Sequence, residues 1–289
     1  MEKYANTIII ITGASSGVGK SSTISILKEI DNTPFYQLPE NVDKKPIIIG
    51  FSRRHVSDLE KIYKNFKSYQ IDITDNEKLK EIFVEKIDKN EIFSKMGKEQ
   101  KKISIVFNVA AKCRGVAVLN LNKPNSTLAV CEPDMSFENA AGAFKEMNDL
   151  NLLALTLICR LACERMDHEF PGYIINVCSM GGIRVPNKPV THYDAATKFG
   201  VTAITECIRQ ELRIVGSKIR VGQISPGLIN TELYDAMDVG NDLFYKRWDS
   251  MKNFMLLPED VSDTFLFMVK CHPRCQYGEI SLRAVMQEN

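Results

Sequence analysis

A length of 289 residues suits one large α/β domain and falls short of a comfortable two. With 44% apolar and 25% charged residues, and a formal net charge of +1, the composition is that of an ordinary globular protein with no electrostatic footprint for nucleic acid or an anionic membrane. No apolar stretch approaches the roughly 20 residues that span a bilayer, and no basic segment leads into an apolar one near the start, so neither a membrane span nor a secretory leader is expected.

In chain order, β-branched apolar runs at 7–12, 46–51, 67–71, 103–108, 173–178 and 218–224 read as strands. Amphipathic stretches at 76–89, 144–166, 195–215 and 258–270 read as helices between them. Largely unbroken apolar strands alternating with helices predict a parallel, doubly wound sheet of the Rossmann type in three α/β/α layers, a single domain over 1–289. The segments 31–45, 90–102 and 112–133 carry Pro, Asn and Lys and read as surface insertions, the lysine cluster of 98–102 being a solvated face. The eight cysteines are scattered, as expected of reduced thiols in a cytoplasmic protein. Cys271-His272-Pro273-Arg274-Cys275 lacks a second ligand pair, so no metal site is expected.

Thr12-Gly13-Ala14-Ser15-Ser16-Gly17-Val18-Gly19 follows the first strand and opens a helix. Glycines there permit a tight turn and close approach of a pyrophosphate to free helix N–H groups. Gly13, Ser15, Ser16, Gly17, Val18 and Gly19 are the candidate cradle. The same stretch, read on to Lys20-Ser21, fits a relaxed phosphate-loop pattern. A nucleoside-triphosphatase would also need a strand ending in aspartate for magnesium, whereas 103–107 ends in Asn108. After the second strand, Ser52-Arg53-Arg54 offers guanidinium groups and no acid, which favours the 2′-phosphate of NADP(H) over the free ribose of NAD. The alternative is that Arg54 caps the following helix. Asp72, with Ile73 beside it, is placed to meet the adenine edge.

The glycine turn, Asn108-Val109-Ala110-Ala111, Asn151, Ser179, Lys198 and Pro226-Gly227 resemble the landmarks of the short-chain dehydrogenase/reductases, in that family's order and spacing. The C-terminal half is most similar to the branch holding insect farnesol-dehydrogenase-like and vertebrate dehydrogenase/reductase member eleven enzymes. It carries Ile175-Asn176-Val177-Cys178-Ser179-Met180-Gly181-Gly182, Arg209-Gln210-Glu211-Leu212-Arg213 and Leu257-Pro258-Glu259-Asp260-Val261. The resemblance implies an oxidoreductase for small lipophilic alcohols and carbonyls. It further implies that Ser179 holds the substrate oxygen, Asn151 anchors a water and Lys198 binds the nicotinamide ribose. Asn108, Ala110, Pro226, Gly227, Ile229 and Thr231 would line the cofactor, with Thr231 at the carboxamide. A lid over 232–257, with Tyr234 and Trp248, would join Tyr193 and Ser179 around the substrate. A homodimer or homotetramer through the helices at 144–166 and 195–215 is also implied.

One landmark is broken. The family's catalytic tyrosine lies four residues before the lysine, and that position is Asp194; Tyr193 sits about 100° further round the helix unless a local bulge swings it inward. A carboxyl begins near about 3.9 and a lysine one turn away lowers it further, so an ionised Asp194 is expected, unable to donate a proton. Ala111, where the family has glycine, is a milder departure. Two readings follow: an NADP-dependent oxidoreductase of weak or altered chemistry, or a protein of the same fold that binds nucleotide or ligand without turnover.

Overall fold

A computed structural model describes residues 1–89, 102–119, 136–187, 189–235, 237 and 249–287. Seven strands form one parallel sheet in the order β3-β2-β1-β4-β5-β6-β7: β1 (Ile8–Thr12), β2 (Ile47–Ser52), β3 (Phe66–Gln70), β4 (Ile103–Asn108), β5 (Tyr173–Val177), β6 (Arg220–Pro226) and β7 (Glu279–Leu282). The helices are α1 (Gly17–Asp31), α2 (Pro34–Gln37), α3 (Ser57–Ile62), α4 (Asn76–Glu81), α5 (Phe137–Asn148), α6 (Leu155–Cys163), α7 (His192–Ile214), α8 (Glu232–Asp235) and α9 (Pro258–Lys270).

Both faces of the sheet are covered, which is why its central strands are buried at every position and largely apolar. In β1, Ile8 and Ile10 join the core beneath α6 and α7, while Ile9 and Ile11 join the core beneath α1 and α9. On that second side Phe107 of β4 stacks on Phe265 of α9 with ring centroids 4.1 Å apart. These are the three layers that the strand and helix alternation predicts.

Several boundaries differ from expectation. β6 runs on through Ser225 to Pro226 because β7 pairs with its second half, Gln223 opposite Glu279 and Pro226 opposite Leu282. β7 itself is not evident in sequence: it is a four-residue edge strand whose outward positions tolerate Glu279 and Ser281. The helix expected over 144–166 is two α-helices joined by a wider π-helical stretch, Asp149–Ala154. The helix expected to begin at Ala195 already begins at His192. The segment 31–45 is more than a loop, since it holds α2 and a 3-10 stretch, Pro39–Lys44, with buried Tyr36 donating to the Met1 carbonyl at 3.1 Å. Most of 90–102 and of 112–133 lies outside the described residues.

Candidate active site

Strand order reverses between β1 and β4, and a crevice therefore opens beyond their C-terminal ends. Thr12, the last residue of β1, sets its floor: its hydroxyl accepts the Val109 and Ala110 N–H groups at 2.9 and 3.0 Å and fixes the chain leaving β4. Gly13, at φ +70°, packs so closely on Ala110 that a Cβ would sit 3.3 Å from its backbone. A Cβ on Gly19 would lie 2.2 Å from the Gly13 carbonyl oxygen, so the turn closes onto α1 only because that position is bare. Ser16 is the N-cap of α1 and makes no side-chain cap bond, which leaves the first-turn N–H groups pointing into the crevice as donors for an anion.

These residues fit a dinucleotide's pyrophosphate and do not fit a phosphate loop. Lys20 is paired with Asp58 at 3.5 Å, the Ser21 hydroxyl donates to Glu259 at 3.3 Å, and β4 ends in Asn108 where a phosphate loop would need an aspartate for magnesium. Asn108, at the end of β4, is buried and donates to Asn176 at 2.9 Å. Ala111 needs no glycine, because Asn6 alone among the described non-glycine residues has positive φ.

Beyond β2, the Ser52 hydroxyl donates to the Arg54 carbonyl at 2.6 Å and ties the loop down. Arg54 then reaches back to the glycine turn, its Nε donating to Ser15 Oγ at 3.4 Å, rather than capping α3. Arg53 is exposed beside it. Asp72 closes a turn, accepting from both the N–H and the hydroxyl of Thr74, while Ile73 is buried in the core.

The chemistry-bearing groups meet at the ends of β4 and β5. Asp194 and Lys198 occupy one face of α7, a helical turn apart, and the π-helical stretch after α5 brings Asn151 against them. The Asn151 amide is fixed at both ends: Oδ1 accepts from Lys112 N at 2.8 Å, and Nδ2 donates to Lys112 O at 2.9 Å, Thr197 Oγ1 at 3.1 Å and Asp194 Oδ1 at 3.3 Å. Lys198 is buried and donates to the Val177 carbonyl at 3.3 Å; among the described residues no ion pair joins it to Asp194. Ser179 caps a short turn after β5, its Oγ accepting from Gly181 N at 3.0 Å, which leaves its O–H free to donate.

Asp194 departs from the sequence expectation in direction. Part of the residue's surface is exposed, but its carboxyl is packed among protein atoms, and burial pushes its pKa up by more than Lys198 pulls it down. The group therefore keeps a proton to higher pH than a free aspartate does. Tyr193 is not swung inward. Its ring stacks on Phe144 of α5 at 3.9 Å between centroids, and its hydroxyl accepts from Asn148 Nδ2 at 2.6 Å, while α7 runs regularly past it.

On the far side, Pro226 ends β6, the Gly227 N–H donates to the Leu282 carbonyl at 2.7 Å, and Ile229 bridges to Leu256. The Thr231 methyl group rests on the glycine turn, 3.2 Å from where a Gly17 Cβ would be. Trp248 and the side chain of Tyr234 lie outside the described residues, as does most of the lid. Glu232 went unremarked in sequence; it pairs with Arg54 at 3.2 Å across 178 positions, and no local spacing signals that contact. Among the described residues no cluster of three or more His, Cys, Asp or Glu side chains could hold a metal. No described helix is long and apolar enough to cross a membrane.

A family model described as short chain dehydrogenase matches residues 7–240. Dehydrogenase/reductase SDR family member 11 of Bos taurus is 28% identical over 299 residues, covering 99% of this chain and 99% of its own. Farnesol dehydrogenase of Aedes aegypti is 26% identical over 286 residues, covering 99% and 98%. Among solved structures, the closed form of serine dehydrogenase complexed with NADP+ is similar at a TM-score of 0.72 and 21% identity, covering 98% of this chain and 97% of that one.

Proposed function

The chain belongs to the short-chain dehydrogenase family, and we propose that it binds NADP(H) and slowly interconverts lipophilic carbonyls and alcohols with Asp194 as proton donor in place of a phenol. The observation that carries this reading is the carboxyl of Asp194, held by Asn151 beside Lys198, with burial raising its pKa above the free carboxylate's. The cofactor assignment rests on Arg54, whose guanidinium lies beside Ser15 of the glycine turn with no acid at the end of β2. The relatives named dehydrogenase/reductase and farnesol dehydrogenase support the reaction class and an apolar substrate.

Gly13 to Gly19 and the open end of α1 would seat the pyrophosphate, and Lys198 with Thr231 would meet the nicotinamide half. When bound, the nicotinamide supplies or accepts the hydride. Ser179 donates its free O–H to the substrate carbonyl oxygen and fixes it at the end of β5. Because Asp194 Oδ1 accepts from Asn151, the acidic proton sits on Oδ2, from which it passes to the alkoxide that develops as the carbonyl carbon is reduced. Lys198, anchored on Val177, places positive charge beside the carboxylate left behind. The shorter reach of a carboxyl than of a phenol makes the step slow unless a water bridges the gap.

That shorter reach also favours a second reading, in which the crevice binds NADP(H) and a ligand without turnover. Measuring NADPH and NADH affinities, then NADPH oxidation with farnesal-like and steroidal carbonyls, separates the two. Tighter NADPH binding with a slow, substrate-dependent rate supports the reductase. Tighter NADPH binding with no rate in either native protein or Asp194→Tyr supports the second reading, and equal or tighter NADH binding sinks the cofactor assignment. Leu153 and Phe199 expose apolar surface beside the candidate site, on the π-helical stretch and on α7, which supports a homo-oligomer assembled through these helices.

A further inference from the structure

Arg54 is already engaged. Its Nη2 donates to Glu232 Oε2 at 3.2 Å while its Nε rests on Ser15 Oγ at 3.4 Å. Glu232 opens α8 directly after Thr231, whose methyl group presses on Gly17. The carboxylate therefore comes from the chain leaving β6, the guanidinium from the chain leaving β2, and the glycine turn lies beneath both. The side chains of Arg54 and Glu232 are 60% and 68% exposed, and pairs so exposed contribute little to stability. A role in holding the fold together is thus a poor account of this contact. What the carboxylate does occupy is the planar donor edge that a phosphate would otherwise take.

We propose that Glu232 is an internal competitor for the cofactor's 2′-phosphate, which gains Arg54 only by displacing this carboxylate. The inference rests on the reading of Arg54 as the 2′-phosphate partner. The displaced carboxylate remains near the phosphate and repels it, so NADP(H) binds more weakly than Arg54 alone would allow and is released more readily. A nucleotide without the 2′-phosphate has no reason to break the pair. Glu232 is on this account a specificity-determining residue that sets how strongly the arginine counts.

The test needs no turnover. Titration calorimetry at low salt would compare 2′,5′-ADP, which carries the 2′-phosphate, with 5′-AMP, which does not. Glu232→Gln, a neutral isostere at an exposed position, should tighten 2′,5′-ADP by about 3–10-fold and leave 5′-AMP unchanged. Unchanged or weaker 2′,5′-ADP binding overturns the proposal. So does equal tightening of both nucleotides, since the pair would then only obstruct the crevice. Arg54→Gln should abolish the native preference for 2′,5′-ADP. A preference surviving in that variant would overturn the reading of Arg54 itself, and the competition with it.

Discussion

Replacing Asp194 by asparagine should make the protein more stable at neutral pH and leave it nearly unchanged in acid. Burial raises the folded-state pKa of this carboxyl, and Lys198 opposes it by less, whereas the unfolded chain titrates near about 3.9. Below the unfolded value both states hold the proton, so the stability associated with the buried neutral acid is fully present. As pH rises through the folded-state pKa, the native protein must ionise a buried group and that stability is lost. Asparagine keeps the shape and can still accept from Asn151, but never ionises. Each tenfold by which burial weakens ionisation is worth about 1.4 kcal/mol, and a domain of this size shifts by about 2–4 °C in Tm per kcal/mol. The variant should therefore melt about 3–6 °C above the native protein at pH 8 for each such tenfold, the gap closing towards pH 4. Calorimetric or fluorescence melting across that range measures it. A gap independent of pH would mean that Asp194 does not ionise within the folded protein over this range. A native protein that gains on the variant as pH rises would mean that Lys198 stabilises an ionised Asp194.

Gly19→Ala places a methyl group 2.2 Å from the Gly13 carbonyl oxygen, where only backbone surrounds it. The turn must shift, costing about 1–3 kcal/mol or more, and NADPH affinity measured by fluorescence titration should fall by at least about 10-fold. Tyr193→Phe removes the acceptor of the 2.6 Å bond from Asn148 while keeping the stack on Phe144. It should lower stability in denaturant titration by about 1 kcal/mol and change turnover by less than about 3-fold; a collapse of turnover would make Tyr193 the proton donor. Leu153→Glu combined with Phe199→Glu should shift light-scattering mass towards the monomer, since both side chains expose apolar surface near the site. An unchanged mass would exclude assembly through those helices.

The fold was legible because its cause is local. A strand covered on both faces is largely apolar, and Ile8–Ile11 is so throughout. The glycine turn was legible because Gly13, Gly17 and Gly19 answer to backbone geometry that no other residue satisfies as readily. β7 escaped because an edge strand with one neighbour needs no apolar pattern. The raised pKa of Asp194 escaped for a different reason. Spacing shows only the lysine four residues on, whereas burial is set by the tertiary fold, which brings Asn151 against this carboxyl from another helix. Tyr193 is likewise held by Phe144 and Asn148 on another helix, so its direction could not be read from α7 alone. The pairing of Arg54 with Glu232 joins the ends of two strands far apart in the sheet, and follows from the topology rather than from any motif.

The rate of NADPH-dependent carbonyl reduction against pH, in the native protein and in Asp194→Asn and Asp194→Tyr, shows whether Asp194 donates the proton. A buried carboxyl acting as general acid predicts a native rate that climbs as pH falls through the raised pKa of Asp194. Asparagine should remove that pH dependence and lower the rate by about 10²–10⁴-fold, and tyrosine should raise the rate at neutral pH. A native rate that ignores pH and survives in Asp194→Asn would show that the proton comes from elsewhere.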